Sequence, residues 1–340
     1  MGCESMAENF EITIGKEYEI TIEPCNYDYI RDGSGPFEVK SPVFRLNNCL
    51  EAILWEKRFV EEEFTDLRQF LEYYIDYDEE ENEYEEKGNH FHVSINYEED
   101  EYIKIRDLYE RHIAYSFLVP IIRKLFSSPL YKRFRNEVFH WCESINFMNY
   151  TDFEDEMLGN GNRYYWILTP NTKEGKQTLE IRLSETSIVY DIIALCYLEA
   201  FYVYLRQTRR FEEFNQKVNN LVINFRDLIY GKKCILPYIY YYKNDNTEKY
   251  NQILIELGLF ELNEVTIYEY KYKTEIEKLR LKNIWKKLKK YWTYSYAYNK
   301  QTNYLVQLFE EYYLSGKKTA LEFIELVYHK VEDLKKRELI

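Results

Sequence analysis

A chain of 340 residues with 46% hydrophobic and 31% charged positions can bury one large core, or a main core with a smaller appendage. Its formal net charge of −14 argues against general nucleic-acid binding, because a phosphate backbone would be repelled. No run of about eighteen uncharged apolar residues marks a membrane span, and Met1 to Phe10 lacks a basic-then-apolar leader, so a cytoplasmic protein is expected.

Tyr occurs 36 times and Phe 20 times against 11 Gly and 7 Pro, which favours sheet and leaves few breakers for long loops. The six cysteines (Cys3, Cys25, Cys49, Cys142, Cys196 and Cys234) form no C-x-x-C pair, and several fall in apolar runs. Buried thiols in a reducing compartment are expected rather than a disulfide framework.

Glu11 to Glu23 alternates strictly. Ile12, Ile14, Tyr18, Ile20 and Ile22 are apolar, with Lys16 as the one exception, while Thr13, Gly15, Glu17, Glu19 and Thr21 are small or polar. The spacing predicts a strand with one buried face. A turn-rich stretch ends at Asp32-Gly33-Ser34-Gly35-Pro36, and Phe37 to Phe44 alternates again, with Glu38 and Lys40 opposite Phe37 and Val39. Asn47 to about Tyr77 carries helical spacing, and the acidic run Asp76 to Glu86 reads as a solvated loop. Asn89 to Tyr97 is a third alternating strand, with Phe91, Val93 and Ile95 opposite His90, His92 and Ser94.

Glu98 to Phe126 reads as a long helix, kinked or broken at Pro120 and stopped by Ser127-Ser128-Pro129. Arg163 to Leu168 and Thr178 to Ser184 are strand-like runs joined by a turn over 170–175, and an apolar helix is predicted from Ser187 to about Phe214. Beyond Phe214 the segments are aromatic and irregular until Lys278 to Trp292. That stretch predicts an amphipathic helix, with Leu281, Ile284, Trp285, Leu288 and Trp292 inward and lysines outward.

Glu17/Glu19, His90/His92 and Glu180/Arg182 each place two chemistry-bearing side chains at i and i+2, hence on one face of a strand and roughly 6.5–7 Å apart. Any half-solvated sheet carries polar residues at such positions, but His90 and His92 are two of only five histidines. Carboxylates, imidazole and guanidinium on one surface suit a metal-bound polyphosphate. No phosphate-binding G-x-x-x-x-G-K-[ST], no G-x-S-x-G and no H-E-x-x-H occurs.

Gly15-Lys16-Glu17-Tyr18-Glu19 resembles the G-x-E-x-E strand that opens glutamate–cysteine ligases and related carboxylate–amine ligases. Phe37 to Pro42 resembles their second strand. Gly88-Asn89-His90-Phe91-His92-Val93 is similar to the G-x-H-x-H strand that they share with glutamine synthetases. Thr178-Leu179-Glu180-Ile181-Arg182 resembles their T-[VI]-E-[FI]-R strand, and the Ser-Pro strand with the Arg163-to-Arg182 hairpin is similar to the amidoligase branch as well.

The resemblance covers Glu11 to Phe201 and implies an α+β fold: a glutamine synthetase-like antiparallel β-sheet with helices packed on one face, over residues 10–214. Residues 215–340 then form a C-terminal, mostly helical and aromatic-rich appendage. It further implies an ATP- and Mg2+-dependent ligase that makes an amide bond through an acyl phosphate. Glu17, Glu19, Glu38, His90 and Glu180 would ligate two or three Mg2+ ions. Arg182 would steady the transferred phosphoryl group, His92 would touch nucleotide or substrate, and Arg163 would bind an anion. Lys40 departs from the pattern by standing among the ligands. The implied substrates are a small carboxylate, an amino acid by default, and an amine; homo-oligomerisation is left open. The alternatives are a phosphotransferase on the same sheet and a binding or structural protein that kept the fold without turnover.

Overall fold

The computed structural model describes residues 10–20, 22–31, 37–72, 75–78, 83–86, 89–97, 101–126, 144–157, 166–171, 177–184, 187–224, 234–236, 245–259, 263–265 and 273–337. The first alternating run becomes β1 (Phe10–Ile20), followed by β2 (Tyr29–Arg31), β3 (Phe37–Lys40) and β4 (Phe44–Arg45). The last two were expected as one strand. Ser41 and Pro42 divide them: the Ser41 amide donates to the Lys16 carbonyl at 2.8 Å, while Ser41 Oγ accepts the Lys16 amide at 2.9 Å. Both halves pair with β1 on either side of that interruption.

Helices α1 (Cys49–Glu63) and α2 (Leu67–Glu72) precede a short hairpin, β5 (Ile75–Asp78) and β6 (Glu83–Glu86), which lies within the acidic run expected as a loop. The two strands pair antiparallel, with Tyr77 opposite Tyr84 in the backbone register. Then come β7 (Asn89–Tyr97), α3 (Glu101–Ile122), β8 (Ser144–Asn146), α4 (Tyr150–Met157), β9 (Leu168–Asn171) and β10 (Thr178–Ser184). Helix α3 runs through Pro120 and tightens into a 3-10 turn at Arg123–Phe126 rather than breaking.

The helical segments that follow are α5 (Ile188–Gln207) and α6 (Phe211–Val218). One continuous helix was expected here. Thr208 Oγ1 instead donates to the Tyr204 carbonyl at 2.6 Å, and Arg209 adopts a left-handed φ of 53°, which ends the first helix. The chain continues through β11 (Val222–Asn224), β12 (Cys234–Leu236), α7 (Asp245–Glu256), β13 (Asn263–Val265), α8 (Lys273–Trp292), α9 (Lys300–Leu308), a π-helical turn (Phe309–Leu314) and α10 (Ala320–Lys336).

The architecture is α+β. A seven-stranded sheet runs β2-β3-β1-β7-β10-β9, with β4 also on β1, and every pairing in it is antiparallel. Its apolar face (Ile12, Ile14, Tyr18, Phe91, Val93, Ile95, Leu179 and Ile181) is buried beneath α1, α3 and α5. Burial of this area is the main driving force for assembly. Helix α5 is long and apolar enough to cross a membrane, but it lies wholly inside the fold, between α1, α3 and α8. Its partner α8 packs Trp285 against Tyr197 in a tilted ring pair with centroids 4.6 Å apart, and Leu281, Ile284, Leu288 and Trp292 are buried as their spacing predicts. Lys282, Lys286, Lys289 and Lys290 face solvent.

Buried carboxylates tie these layers together. Glu56 of α1 accepts from Tyr18 Oη of β1 at 2.8 Å, from the Ile188 amide at 2.7 Å, from Tyr328 Oη of α10 at 2.7 Å, and from Ser187 Oγ. Ser187 caps α5 by accepting from the Val189 amide, and beside it the Glu56 carboxylate takes the Ile188 amide at that helix N-terminus, where the backbone dipole favours an acidic group. Deeper in the helices, Glu199 of α5 accepts from Arg111 Nε of α3 at 2.6 Å, from Ser295 Oγ at 3.1 Å and from Tyr115 Oη.

Among these helices His112 is fully buried, and its Nε2–H donates to the Leu168 carbonyl of β9 at 3.1 Å. Burial pushes its pKa from 6.5 down to about 4, against the opposing effect of that hydrogen bond. Between those values the unfolded chain takes up a proton that the folded chain refuses. Stability is therefore full above pH 6.5 and falls as the pH drops toward 4, by about 3 kcal/mol in total. Urea midpoints of wild type and His112→Gln, compared from neutral to acid pH, check this: the variant should lose less stability over that window, and an identical acid dependence would contradict it.

Candidate metal centre on the polar face of the sheet

The site begins with register. In β1 and β7, Glu17 lies opposite His90 and Gly15 opposite His92, so the odd positions of one strand and the even positions of the other share the polar face. On one side, β3 sets Lys40 opposite Glu17 and Glu38 opposite Glu19. On the other, β10 sets Glu180 opposite His92. Residues from four strands that are far apart in sequence therefore meet on one patch.

Glu17 is the hub. Its Oε2 lies 3.4 Å from His90 Nδ1 and 3.5 Å from His92 Nε2, and its Oε1 accepts from Lys40 Nζ at 2.9 Å. The His92 approach to Glu17 lacks hydrogen-bond geometry and is an electrostatic contact. His90 Nδ1 also lies 3.2 Å from Glu180 Oε1, and that oxygen accepts from Arg182 Nη1 at 2.9 Å. Lys40 reaches Glu38 as well, at 2.9 Å. Ligand atoms of Glu17, His90 and His92 all lie within 4.8 Å of one another.

Burial alone would raise the Glu17 carboxyl. The neighbouring His90 and His92 imidazoles and Lys40 outweigh it and hold the group well below the usual carboxylate range. Glu180 is likewise lowered: burial and Glu17 push it up, while His90, His92 and Arg182 pull it further down. Lys40 is raised, because Glu17 and Glu38 outweigh its partial burial. At neutral pH the patch thus holds ionised carboxylates, each facing a cation or an imidazole, a donor set that can exchange these partners for a metal.

Two features of the surroundings escape a reading of motifs alone. Gly15 has open space where a side chain would stand, beside His92, so the face has room for a bound group. Behind the sheet, Lys16 is buried: its Nζ pairs with Asp191 Oδ2 of α5 at 2.5 Å and donates to Ser184 Oγ of β10 at 2.8 Å, and Ser184 Oγ donates to Asp191 Oδ1 at 2.6 Å. A register shift in β10 between Ile181 and Ser184 turns Ser184 toward Lys16 while Arg182 stays beside Glu180. Burial pushes the Asp191 carboxyl up to about 6 against the pull of Lys16 and Ser184. This cluster pins the strands that carry Glu17 and Glu180 to one helix. Its signal in the sequence is a lysine at an apolar strand position and an aspartate in an apolar helix.

The expected site residues Glu17, His90, His92, Glu180 and Arg182 meet directly, and Glu38 joins through Lys40. Glu19 shares the face one pair further along, where its backbone amide donates to Asn89 Oδ1 at 2.9 Å. Arg163 lies outside the described residues. No protein-family model matches the chain, and no curated protein matches it.

Proposed function

We propose that this protein is an ATP- and Mg2+-dependent carboxylate–amine ligase built on a glutamine synthetase-like sheet. The observation that carries the proposal is the meeting of Glu17, His90, His92, Glu180 and Arg182 on one polar face, from the strands that resemble the ligase motifs. The residues fit the implied ions: hard carboxylate oxygens are ionised and gathered, and the space beside Gly15 leaves room for phosphate oxygens.

Glu17, Glu19, Glu38, His90 and Glu180 would hold the ions, whose chemistry when bound is to neutralise the triphosphate so that a carboxylate can approach it. Arg182 presents a planar guanidinium, suited to grip the transferred phosphoryl group or the acyl phosphate in two-pronged fashion. Glu180 orients that guanidinium through its 2.9 Å contact. Lys40 screens Glu17 and Glu38, and as a half-exposed side chain it can swing aside when a metal takes its place. His92, beside the open space at Gly15, would meet nucleotide or substrate. Free buried Cys49, whose thiol burial pushes up to about 12, suits a reducing cytoplasm.

The test is product analysis with ATP, Mg2+ and panels of amino-acid carboxylates and amines. A ligase releases free phosphate only when both partners are present, and Glu180→Gln should lower that rate by at least about 100-fold. Phosphate left on the nitrogen of an acceptor would show a phosphotransferase instead.

A further inference from the structure

We infer that the Glu17–His90–His92 group is a distinct position within this metal site, one that takes a borderline divalent transition ion such as Zn2+ or Co2+ in preference to Mg2+, with His92 as a ligand. The inference rests on the reading of this face as a metal centre, and it deepens that reading by assigning the ion.

Donor chemistry decides between the ions. Mg2+ binds oxygen and keeps much of its water, whereas imidazole nitrogen favours later first-row divalent metals. One carboxylate oxygen and two imidazole nitrogens within 4.8 Å form a mixed set that suits the second group. The Glu17–His90 and Glu17–His92 separations of 3.4 and 3.5 Å are what two neighbouring ligands on one ion require, given metal–ligand bonds of about 2.0–2.2 Å. By contrast, Glu19 and Glu38 face each other across β1 and β3 and offer oxygen alone.

Two further observations point at a ligand. His92 Nε2 is buried, makes no hydrogen bond, and is aimed at Glu17 from 3.5 Å. Leaving a buried ring nitrogen in that state has a cost that coordination would remove. Its other nitrogen, Nδ1, lies 3.5 Å from Thr178 Oγ1 of β10. An imidazole held at one nitrogen and open at the other is the usual arrangement of a metal-bound histidine. For His90 a single nitrogen, Nδ1, lies 3.4 Å from Glu17 Oε2 and 3.2 Å from Glu180 Oε1, so Glu180 stands beside this position as a further oxygen donor.

Calorimetric and visible-absorption titration of the metal-free protein with Co2+ and Zn2+, in a large excess of Mg2+ and without nucleotide, tests this. One ion per chain is expected, with Co2+ giving the strong visible bands of a site of low coordination. His92→Gln should abolish the bands, and Thr178→Val, which keeps both imidazoles, should weaken Co2+ about 10–100-fold. His329→Gln removes an exposed histidine of α10 and should change nothing. Co2+ binding that is equal in wild type and His92→Gln, or that Mg2+ displaces on equal terms, overturns the inference. Mg2+-dependent ATP binding without any Co2+ preference sinks the inference and leaves the ligase reading standing. A Co2+ site in a protein that never binds ATP upholds the inference and sinks the ligase.

Discussion

Asp191→Ala is expected to destabilise the protein by about 3–5 kcal/mol, because it leaves the Lys16 ammonium buried without its counter-charge. Lys16 and Asp191 have no side-chain exposure, and the ammonium is 2.5 Å from the carboxylate, so no solvent screens the loss. Ser184 Oγ would remain at 2.8 Å, but a hydroxyl cannot neutralise an ammonium. The pair as a whole is another matter. Replacing both residues together by Lys16→Met and Asp191→Leu removes two desolvated charges at once and should recover most of the loss. Urea unfolding of the three variants checks this: the single variant should unfold at a much lower midpoint and the double variant near wild type. A single variant as stable as wild type would show that the pair does not hold β1 to α5.

That pair also shows what was legible in the sequence and what was not. Alternation of Ile12, Ile14, Tyr18 and Ile20 identifies β1 and its buried face, and the i, i+2 pairs identify the polar face. Both are local patterns with a period of two. Lys16 breaks the pattern because its partner is 175 residues away, on a helix, and one-dimensional spacing carries no trace of that. The same holds for Thr178 and His92, 86 positions apart, and for the turn at Arg209, where a left-handed backbone ends a helix that apolar spacing would have prolonged. The acidic run reads as a loop by charge, yet the backbone pairs it into β5 and β6. Charge reports solvation; it does not say whether a solvated segment also finds a partner strand.

The second large effect is at Glu17. Relief of like-charge repulsion would predict that Glu17→Gln stabilises the metal-free protein. The geometry predicts the reverse. Against the cost of its burial, Glu17 faces His90, His92 and Lys40, and its carboxyl is held well below the ordinary range, which means that folding favours the ionised form. This contribution is present above the ordinary carboxylate value of 4.5 and is lost as the pH falls below it. Removing the charge should therefore cost about 1.5–3 kcal/mol at neutral pH, the range for hydrogen bonds to charged groups. The difference from wild type should shrink in acid. A stabilised Glu17→Gln protein at pH 7 would mean that Lys40 and the imidazoles do not compensate the carboxylate in solution.

The same substitution removes the hub on which the proposed metal centre depends, and its functional consequence is the larger one. Calorimetric titration of the folded protein with ATP, with and without Mg2+, alongside Glu17→Gln, tests the ligase proposal most directly. Mg2+-dependent ATP binding in the wild type, abolished in Glu17→Gln with the fold intact, is the predicted result. Absence of ATP binding in folded wild-type protein, or binding that Glu17→Gln leaves unchanged, would contradict it.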